Sequence, residues 1–300
     1  MARKESAFTR LLSSRMRNNV KESLQFFGNL FTPTLILNPS ISGKYYAYNP
    51  SSNEFVVTGL DENSEKDKNG LPIPPKEIRI GETTAEEFVN SGKVDYDVML
   101  KLLSDVNIAS DSFGKILEFG CSSGRMIRFF HSDSFKKEIW GVDLASEHIY
   151  WCQQNLSPIN FTTVTLQPHL PFEDNYFDFI YAGSVFTHID DLAYTWFLEL
   201  KRITKKGGII YVTIHDENTI DYFNKHQEKI AFQKMILGTK AFKTFSSNNG
   251  KIFTVGRSMM SHVFYESSFI KQQLSKIFEI ISYVPNSYRE YQTGIILKKK

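Results

Sequence analysis

The chain has 300 residues, of which 41% are hydrophobic and 23% are charged, a composition that excludes disorder over its whole length. Its 35 lysine and arginine residues nearly balance its 33 aspartate and glutamate residues, and the net charge of +2 gives no reason to expect nucleic acid as a partner. The two cysteines, Cys121 and Cys152, have neither metal-ligand nor disulfide-framework spacing, so we expect a reducing compartment and no metal site.

The first 31 residues carry a basic amphipathic pattern. Apolar residues recur at spacings of three or four from Phe8 to Phe27, with arginine and lysine between them, which predicts a helix. We expect this helix to pack on the protein's own body or on a twin subunit in a homodimer; the alternative is peripheral contact with a membrane surface. The chain has no apolar run of about 18 residues and no apolar stretch at its N-terminus, so we expect no transmembrane helix and a cytoplasmic location.

Residues 33–110 predict mixed structure. Alternating tyrosines and turn residues at 49–53 indicate an extended chain over residues 33–60, and a charged loop follows. Thr84 followed by Glu87 is a capping box, which predicts a helix over residues 84–105. Residues 1–110 are therefore predicted to form an N-terminal α+β extension that contacts the substrate or a second subunit.

Short apolar runs alternate with helical patterns from residue 114 onwards. Five runs predict buried strands, at residues 116–119, 139–143, 161–164, 177–181 and 209–214. Amphipathic patterns at residues 146–156 and 191–204 predict helices between them. This alternation is typical of an α/β fold with a doubly wound, mostly parallel sheet.

The chain after His215 predicts an insertion and a closing hairpin. Residues 219–262 have a looser pattern and are expected to form a lid. A helix over residues 267–276 and two strands, near 279–284 and 292–298, follow. Because no crossover helix separates these strands, the last one is predicted to run antiparallel. The result is a seven-stranded, Rossmann-like sheet in a domain that spans residues 111–300.

The first strand of this domain ends in a glycine-rich turn. Gly120 and Gly124 stand where the backbone must turn sharply and admit a ligand closely. Ligands of open α/β sheets bind beyond the carboxyl ends of the strands. Asp143 ends the next strand, and a carboxylate there can accept two hydrogen bonds from ribose hydroxyls. Together these residues predict a nucleoside site.

Four segments resemble the motifs of the class I S-adenosylmethionine-dependent methyltransferases. Residues 118–124 resemble the first motif, with a serine in place of its middle glycine, and residues 141–143 resemble the second motif. Residues 170–178 and 200–208 resemble the segments that lead into the fourth and fifth strands. The resemblance implies S-adenosylmethionine as the cofactor and methyl transfer as the reaction. The residues that it implies in cofactor binding are Glu118, Gly120, Cys121, Ser122, Gly124, Asp143, Leu144 and Ser184.

Residues 184–189 and 71–75 are further similar to bacterial methyltransferases of sugar and surface-polysaccharide pathways. This similarity implies a small-molecule acceptor and O-methylation of a sugar or related metabolite. A hydroxyl acceptor benefits from a general base, for which His188 and His215, after the fourth and fifth strands, are the candidates. His262 follows the insertion and could fold over the same site. Each histidine has an alternative role as a hydrogen-bonded scaffold residue.

Two other functions stay open. A nicotinamide-dependent oxidoreductase requires the pattern Gly-x-Gly-x-x-Gly, but Ser122 and Arg125 occupy its second and third glycine positions. The other alternative is a non-catalytic protein that keeps the fold as a binding module. Cofactor binding without turnover would support that alternative.

Overall fold

The computed structural model describes residues 46–49, 54–57, 65–79, 84–189, 192–226, 236, 239, 251–255 and 261–300. The chain divides into two compact units, Met1–Leu60 and Asp61–Lys300. In the first unit, β1 (Tyr46–Asn49) and β2 (Glu54–Val57) form an antiparallel pair. The helix predicted for residues 1–31 lies outside the described residues.

The second unit contains a seven-stranded sheet and a separate two-stranded one. Its helices are α1 (Ala85–Asp105), α2 (Ser146–Asn155), α3 (Ala193–Ile203), α4 (Glu217–Lys225) and α5 (Ser267–Ser275). Its strands are β3 (Lys115–Phe119), β4 (Glu138–Asp143), β5 (Asn160–Thr163), β6 (Phe177–Ala182), β7 (Thr204–Ile214), β8 (Ile252–Val255), β9 (His262–Tyr265), β10 (Phe278–Tyr288) and β11 (Gln292–Lys299). The large sheet has the order β10-β11-β7-β6-β3-β4-β5, and β8 pairs with β9.

The large sheet confirms the predicted fold class. Strands β3 to β7 pair in parallel, whereas β11 is antiparallel both to β7 and to the edge strand β10. Only three residues, 289–291, join β10 to β11, and a link that short can join only antiparallel neighbours. The last strand therefore runs antiparallel, as the sequence predicts.

The fifth parallel strand begins earlier than predicted. β7 starts at Thr204, which pairs with Phe177, and the ladder then shifts so that Ile209 pairs with Phe179. Gly207 has a φ of 76° within the irregular stretch. Gly207 therefore lies in a register irregularity at the start of the strand.

Alternate residues of each strand point to opposite sides of the sheet, and both sides are buried. One face packs on α3 and α5 through side chains that include Leu117, Ile180, Trp196, Leu200 and Leu274. On the other face, the Phe179 ring stacks on Phe113 with the centroids 4.7 Å apart. Fully burying one large apolar side chain contributes about 1.5–3 kcal/mol, and burial on two sides fixes the register of the strands.

Helix α1 begins where the sequence predicts. The Thr84 hydroxyl accepts the Glu87 N–H at 3.1 Å, and the Glu87 carboxylate accepts the Thr84 N–H at 3.0 Å. The helix packs closely on the chain after β3, since a Cβ added at Gly92 would lie 2.2 Å from the Arg125 carbonyl oxygen. Gly92 is thus required by the approach of two backbones.

Residues 65–79, which we call the strap, lie against the same region. The Arg128 side chain is fully buried and donates to Asp67 at 2.9 Å and to the Leu71 and Pro72 carbonyls. The strap therefore anchors the chain that follows the glycine-rich turn. Among the described residues, no helix is long and apolar enough to cross a membrane.

Candidate functional site

The turn after β3 has three left-handed residues. The φ angles are 81° at Gly120, 50° at Ser122 and 82° at Gly124. A Cβ at Gly120 would lie 2.4 Å from Cγ2 of Val185, and one at Gly124 would lie 2.6 Å from Cδ1 of Leu156. Conformation and packing both require glycine at these two positions, which gives the first motif its physical reason.

Ser122 adopts a conformation that disfavours side chains. Its hydroxyl lies 3.0 Å from Nδ1 of the buried His148, and its N–H donates to Oδ2 of Asp143 at 2.7 Å. A non-glycine residue in this region costs roughly 1–2 kcal/mol, which these two hydrogen bonds help to offset. The serine thus replaces the motif's middle glycine without changing the turn.

Comparison of Ser122→Gly with Ser122→Ala is expected to reveal this backbone strain. Both variants lose the hydroxyl contact to His148, but only alanine keeps a Cβ in the left-handed conformation. We expect the alanine variant to be less stable than the glycine variant by about 1 kcal/mol in urea unfolding. Equal unfolding midpoints for the two variants would contradict the strain.

Asp143 is fixed at the carboxyl end of β4. Oδ2 accepts the Ser122 N–H, and Oδ1 accepts the Ala145 N–H at 2.9 Å. Each carboxylate oxygen can accept a second hydrogen bond, so the oriented group retains capacity for two hydroxyls. Leu144 next to it is 38% exposed.

Leu166 follows β5 and is not among the residues that the sequence predicts for the site. It is 62% exposed and lies at the same edge of the sheet as Leu144, because β4 and β5 are parallel neighbours. Two exposed leucines beyond neighbouring strand ends offer apolar surface to a planar ring. Their position directly after these strands was the available signal. Thr165, next to Leu166, accepts the Gln167 N–H at 3.3 Å.

Two predicted site residues near the turn are buried. Tyr181 donates to Glu118 at 3.0 Å, and burial raises the Glu118 pKa to about 8, so this carboxyl holds its proton at neutral pH.

The Cys121 N–H donates to Val142, and the Cys121 carbonyl accepts from Gly124. Burial raises the pKa of the Cys121 thiol well above its usual value. Cys121 therefore shapes the turn, and its contact with a cofactor stays a prediction.

Ser184, after β6, is held by two residues that sequence reasoning missed. Its N–H donates to the Thr213 hydroxyl at 2.7 Å, and its own hydroxyl exchanges hydrogen bonds with the Gln292 amide at 2.9–3.1 Å. Thr213 and Gln292 are both buried, and Thr213 also donates to Gln292 at 2.7 Å. This network holds Ser184 at a φ of 59° and fixes the direction of the loop that follows.

The structure brings His188, His215 and His262 together. The ring centroids of His188 and His262 are 5.3 Å apart, and those of His215 and His262 are 6.4 Å apart. Strand β9 causes this convergence, since the Val263 N–H donates to Thr187 and the Tyr265 N–H donates to His215. All three imidazoles therefore lie beyond the ends of β6 and β7.

His188 is oriented by a backbone carbonyl. Its Nδ1 lies 2.6 Å from the Ser261 oxygen, and the Ser261 hydroxyl donates back to the His188 carbonyl at 2.8 Å. Because a carbonyl only accepts, Nδ1 carries the proton and Nε2 of the neutral ring keeps its lone pair. This arrangement gives His188 the orientation that a general base needs.

Burial keeps the three imidazoles neutral. Burial lowers the pKa of His188 and lowers that of His215 well below its usual value. It also lowers the pKa of His262 to about 4. The nearby His188 lowers the pKa values of His215 and His262 further. His215 is the most buried of the three and stacks on Phe264 at 4.8 Å. His188, which is only partly buried, is the better placed of the two predicted bases.

A family model described as a methyltransferase domain matches residues 117–212, the stretch that runs from β3 through β7. Over these residues, the resemblance to the class I S-adenosylmethionine (SAM)-dependent methyltransferases is confirmed. The matched residues include the glycine-rich turn, Asp143, Ser184 and His188.

Several solved structures are similar to this chain. The PH0226 protein from Pyrococcus horikoshii is 14% identical, covers 71% of this chain and 95% of its own, and has a TM-score of 0.50. A SAM-dependent methyltransferase from Methanosarcina mazei is 16% identical over 66% of this chain and 96% of its own, with a TM-score of 0.47. Another, from Clostridium acetobutylicum, is 15% identical over 69% of this chain and 91% of its own, with a TM-score of 0.46.

S-adenosylmethionine is the cofactor of class I methyltransferases, and the residues of this site fit it. The left-handed turn exposes backbone where the cofactor must approach closely, and Asp143 is fixed with acceptor capacity for ribose hydroxyls. Leu144 and Leu166 expose apolar side chains at the same edge of the sheet. Within the described part of the chain, no group of three or more His, Cys, Asp or Glu side chains is arranged to hold a metal ion.

Proposed function

We propose that the chain transfers a methyl group from S-adenosylmethionine to a hydroxyl of a small, sugar-related acceptor. When bound, S-adenosylmethionine supplies a methyl group on a positively charged sulfur, which leaves as a neutral thioether. Asp143, Leu144 and the turn from Gly120 to Gly124 hold the cofactor. His188 takes the hydroxyl proton at Nε2 as the oxygen–methyl bond forms, and then releases it to water.

The oriented His188 imidazole is the observation that carries this proposal. A sulfonium methyl group is already activated, so the enzyme must mainly position the acceptor and exclude water. A weakly acidic hydroxyl gains further from a base within reach. The Nδ1 contact to Ser261 leaves Nε2 as the accepting atom.

Residues outside this core take supporting roles in the proposal. We assign the insertion at 219–262 to a cover over the acceptor; α4 begins it and β8 and β9 end it, while most of its middle lies outside the described residues. We assign the N-terminal extension, residues 1–110, to acceptor contacts or to contacts within a homodimer.

Cofactor binding is the first test. We expect S-adenosylmethionine and S-adenosylhomocysteine to bind with micromolar-range affinity in calorimetry, and NAD not to bind. Binding of NAD alone would favour the oxidoreductase. Binding of S-adenosylmethionine without methyl transfer to any member of a broad panel of hydroxyl acceptors would favour the non-catalytic module.

Replacement of Asp143 by alanine is expected to weaken S-adenosylhomocysteine binding by about 1.5–3 kcal/mol, because charge-assisted hydrogen bonds to the ribose are lost. The effect is measured by calorimetry, at a temperature at which circular dichroism shows that the variant is folded. Asp111→Ala, which removes an exposed aspartate from the same domain, is the matched control and should bind as the parent does. Unchanged affinity in Asp143→Ala would assign the ribose to another residue.

A further inference from the structure

The loop that follows β6 and carries His188 is held along its length by one other segment of chain. Residues 186–189 form this loop, which we call the His188 loop, and their carbonyl oxygens all lie within hydrogen-bond distance of donors in residues 261–265. The Val263 N–H and the Ser261 hydroxyl donate to the two central carbonyls, each at 2.8 Å. The shape of the His188 loop therefore depends on this segment, which contains β9.

Tyr265 reaches the two ends of the His188 loop through its side chain. Its hydroxyl lies 2.5 Å from the Ile189 carbonyl oxygen and 3.2 Å from the Phe186 carbonyl oxygen. A hydroxyl carries one proton, so the shorter contact, to Ile189, is the stronger hydrogen bond. This hydroxyl therefore holds the two ends of the loop together, with His188 between them.

The Tyr265 ring is anchored in the core. Tyr265 is buried and belongs to the apolar cluster that also contains Trp196 and Phe197 of α3 and Leu274 of α5. Its N–H donates to the His215 carbonyl at 2.9 Å, which fixes its backbone to the end of β7. A side chain that is locked by packing holds its polar atom in one place. The hydroxyl is thus a fixed point beside the His188 loop.

The ends of the loop need this hydroxyl because they are shielded from water. Phe186 is fully buried and Ile189 is only partly exposed. A buried carbonyl that loses its donor is costly, since water cannot replace the hydrogen bond. Without the Tyr265 hydroxyl, the loop is expected to move towards solvent. Such a movement would take His188 away from the Ser261 carbonyl that orients its Nδ1.

We propose that Tyr265 and Ser261 are positioning residues for methyl transfer: their hydroxyls hold the His188 loop in the conformation in which Nε2 of His188 reaches the acceptor hydroxyl. This inference rests on the proposed function and deepens it. Both residues act through His188 and not on the reacting atoms. Because they lie at the end of the insertion, the proposed cover and the proposed base are joined through them.

The test follows the protonation of His188 by NMR in protein that contains isotope-labelled histidine and is saturated with S-adenosylhomocysteine. The His188 ring signals are assigned by their loss in His188→Ala. Among the described residues, the titratable groups beside this ring are His215 and His262, whose signals are followed in the same spectra. The variants are Tyr265→Phe and Ser261→Ala, each of which removes one hydroxyl and keeps the rest of the side chain.

Both variants are expected to raise the pKa of His188. Burial keeps this pKa below its usual 6.5, so a ring that moves towards water becomes easier to protonate. We expect a rise of about half a unit or more, which is about a threefold change in the protonation constant. The ring nitrogen shifts should also show a mixture of the two neutral tautomers, because the carbonyl that selects the Nδ1–H form is no longer in place.

The rate of methyl transfer is the second readout. With any hydroxyl acceptor that the parent methylates, we expect the single-turnover rate of Tyr265→Phe to fall by about tenfold to a hundredfold, the effect of a displaced catalytic group. The affinity for S-adenosylhomocysteine should stay as in the parent. Tyr176→Phe is the matched control, since it removes a hydroxyl that donates to Glu138 at the amino ends of β6 and β4, and should change neither readout.

The variants are expected to fold, because the Phe186 ring stacks on Phe197 with the centroids 4.0 Å apart and keeps the loop attached. If only one of Tyr265→Phe and Ser261→Ala folds, that variant decides. A His188 pKa and tautomer identical to those of the parent would overturn the inference, even in a variant with a lower melting temperature, and would leave these hydroxyls a purely structural role.

Failure of the proposed function has a different signature. Failure of the parent to bind S-adenosylhomocysteine, or to methylate any member of the acceptor panel, would count against methyl transfer itself. The NMR titration of His188 needs no turnover and would still report whether the two hydroxyls hold the loop. The two failures are therefore distinguishable.

Discussion

Replacement of His188 by alanine is expected to lower the rate of methyl transfer to a hydroxyl acceptor by about 10²–10⁴-fold, the usual contribution of a positioned general base. Cofactor affinity should barely change, because Asp143 and the glycine-rich turn do the binding. Single-turnover measurements with the acceptor, beside calorimetry with S-adenosylhomocysteine, separate the two effects.

The pH profile gives an independent readout of His188. Burial lowers its pKa from the usual 6.5, so the ring is neutral and competent at neutral pH. The parent rate should therefore be level near pH 7 and fall below the lowered pKa, where the ring becomes protonated. This fall should disappear in His188→Ala. If the variant keeps the parent rate and pH profile, His188 has a structural role only, and His215 becomes the candidate general base.

Replacement of Asp67 by alanine is expected to lower the free energy of unfolding by about 3–5 kcal/mol, because it leaves the Arg128 guanidinium buried without its carboxylate. Asp67 also accepts the N–H groups of Asn69 and Leu71 at 2.8 and 3.0 Å, which closes the strap's first turn. Urea unfolding monitored by tryptophan fluorescence measures the loss.

Two controls isolate the charge in this effect. Asp67→Asn keeps an acceptor oxygen for the two backbone N–H groups and should retain most of the loss. Asp105→Ala breaks an exposed ion pair with Lys101 and should cost less than about 1 kcal/mol. Equal, small losses in all three variants would show that the strap contributes little to stability.

The fold is predictable from the sequence alone, and so are the residues proposed to bind the cofactor. Alternating apolar runs give the strands, because each strand must bury both faces. The lack of a crossover helix between the last two predicted strands requires them to be antiparallel. Gly120 and Gly124 are readable because left-handed φ angles select glycine locally. Asp143 is readable because it ends a strand beside that turn. The capping box at Thr84 is equally local, and the structure confirms the helix that it predicts.

The contacts between residues that are distant in the sequence depend on the tertiary structure. Ser261 lies 73 positions from His188, Gln292 lies 108 from Ser184, and Asp67 lies 61 from Arg128. No local periodicity relates such pairs, because their separations depend on how strands and loops pack after folding. Hydrogen bonds from β9 to Thr187, after β6, and to His215, after β7, bring three separate histidines into one cluster. The residues that orient the proposed base therefore come from segments that the sequence alone left unconnected.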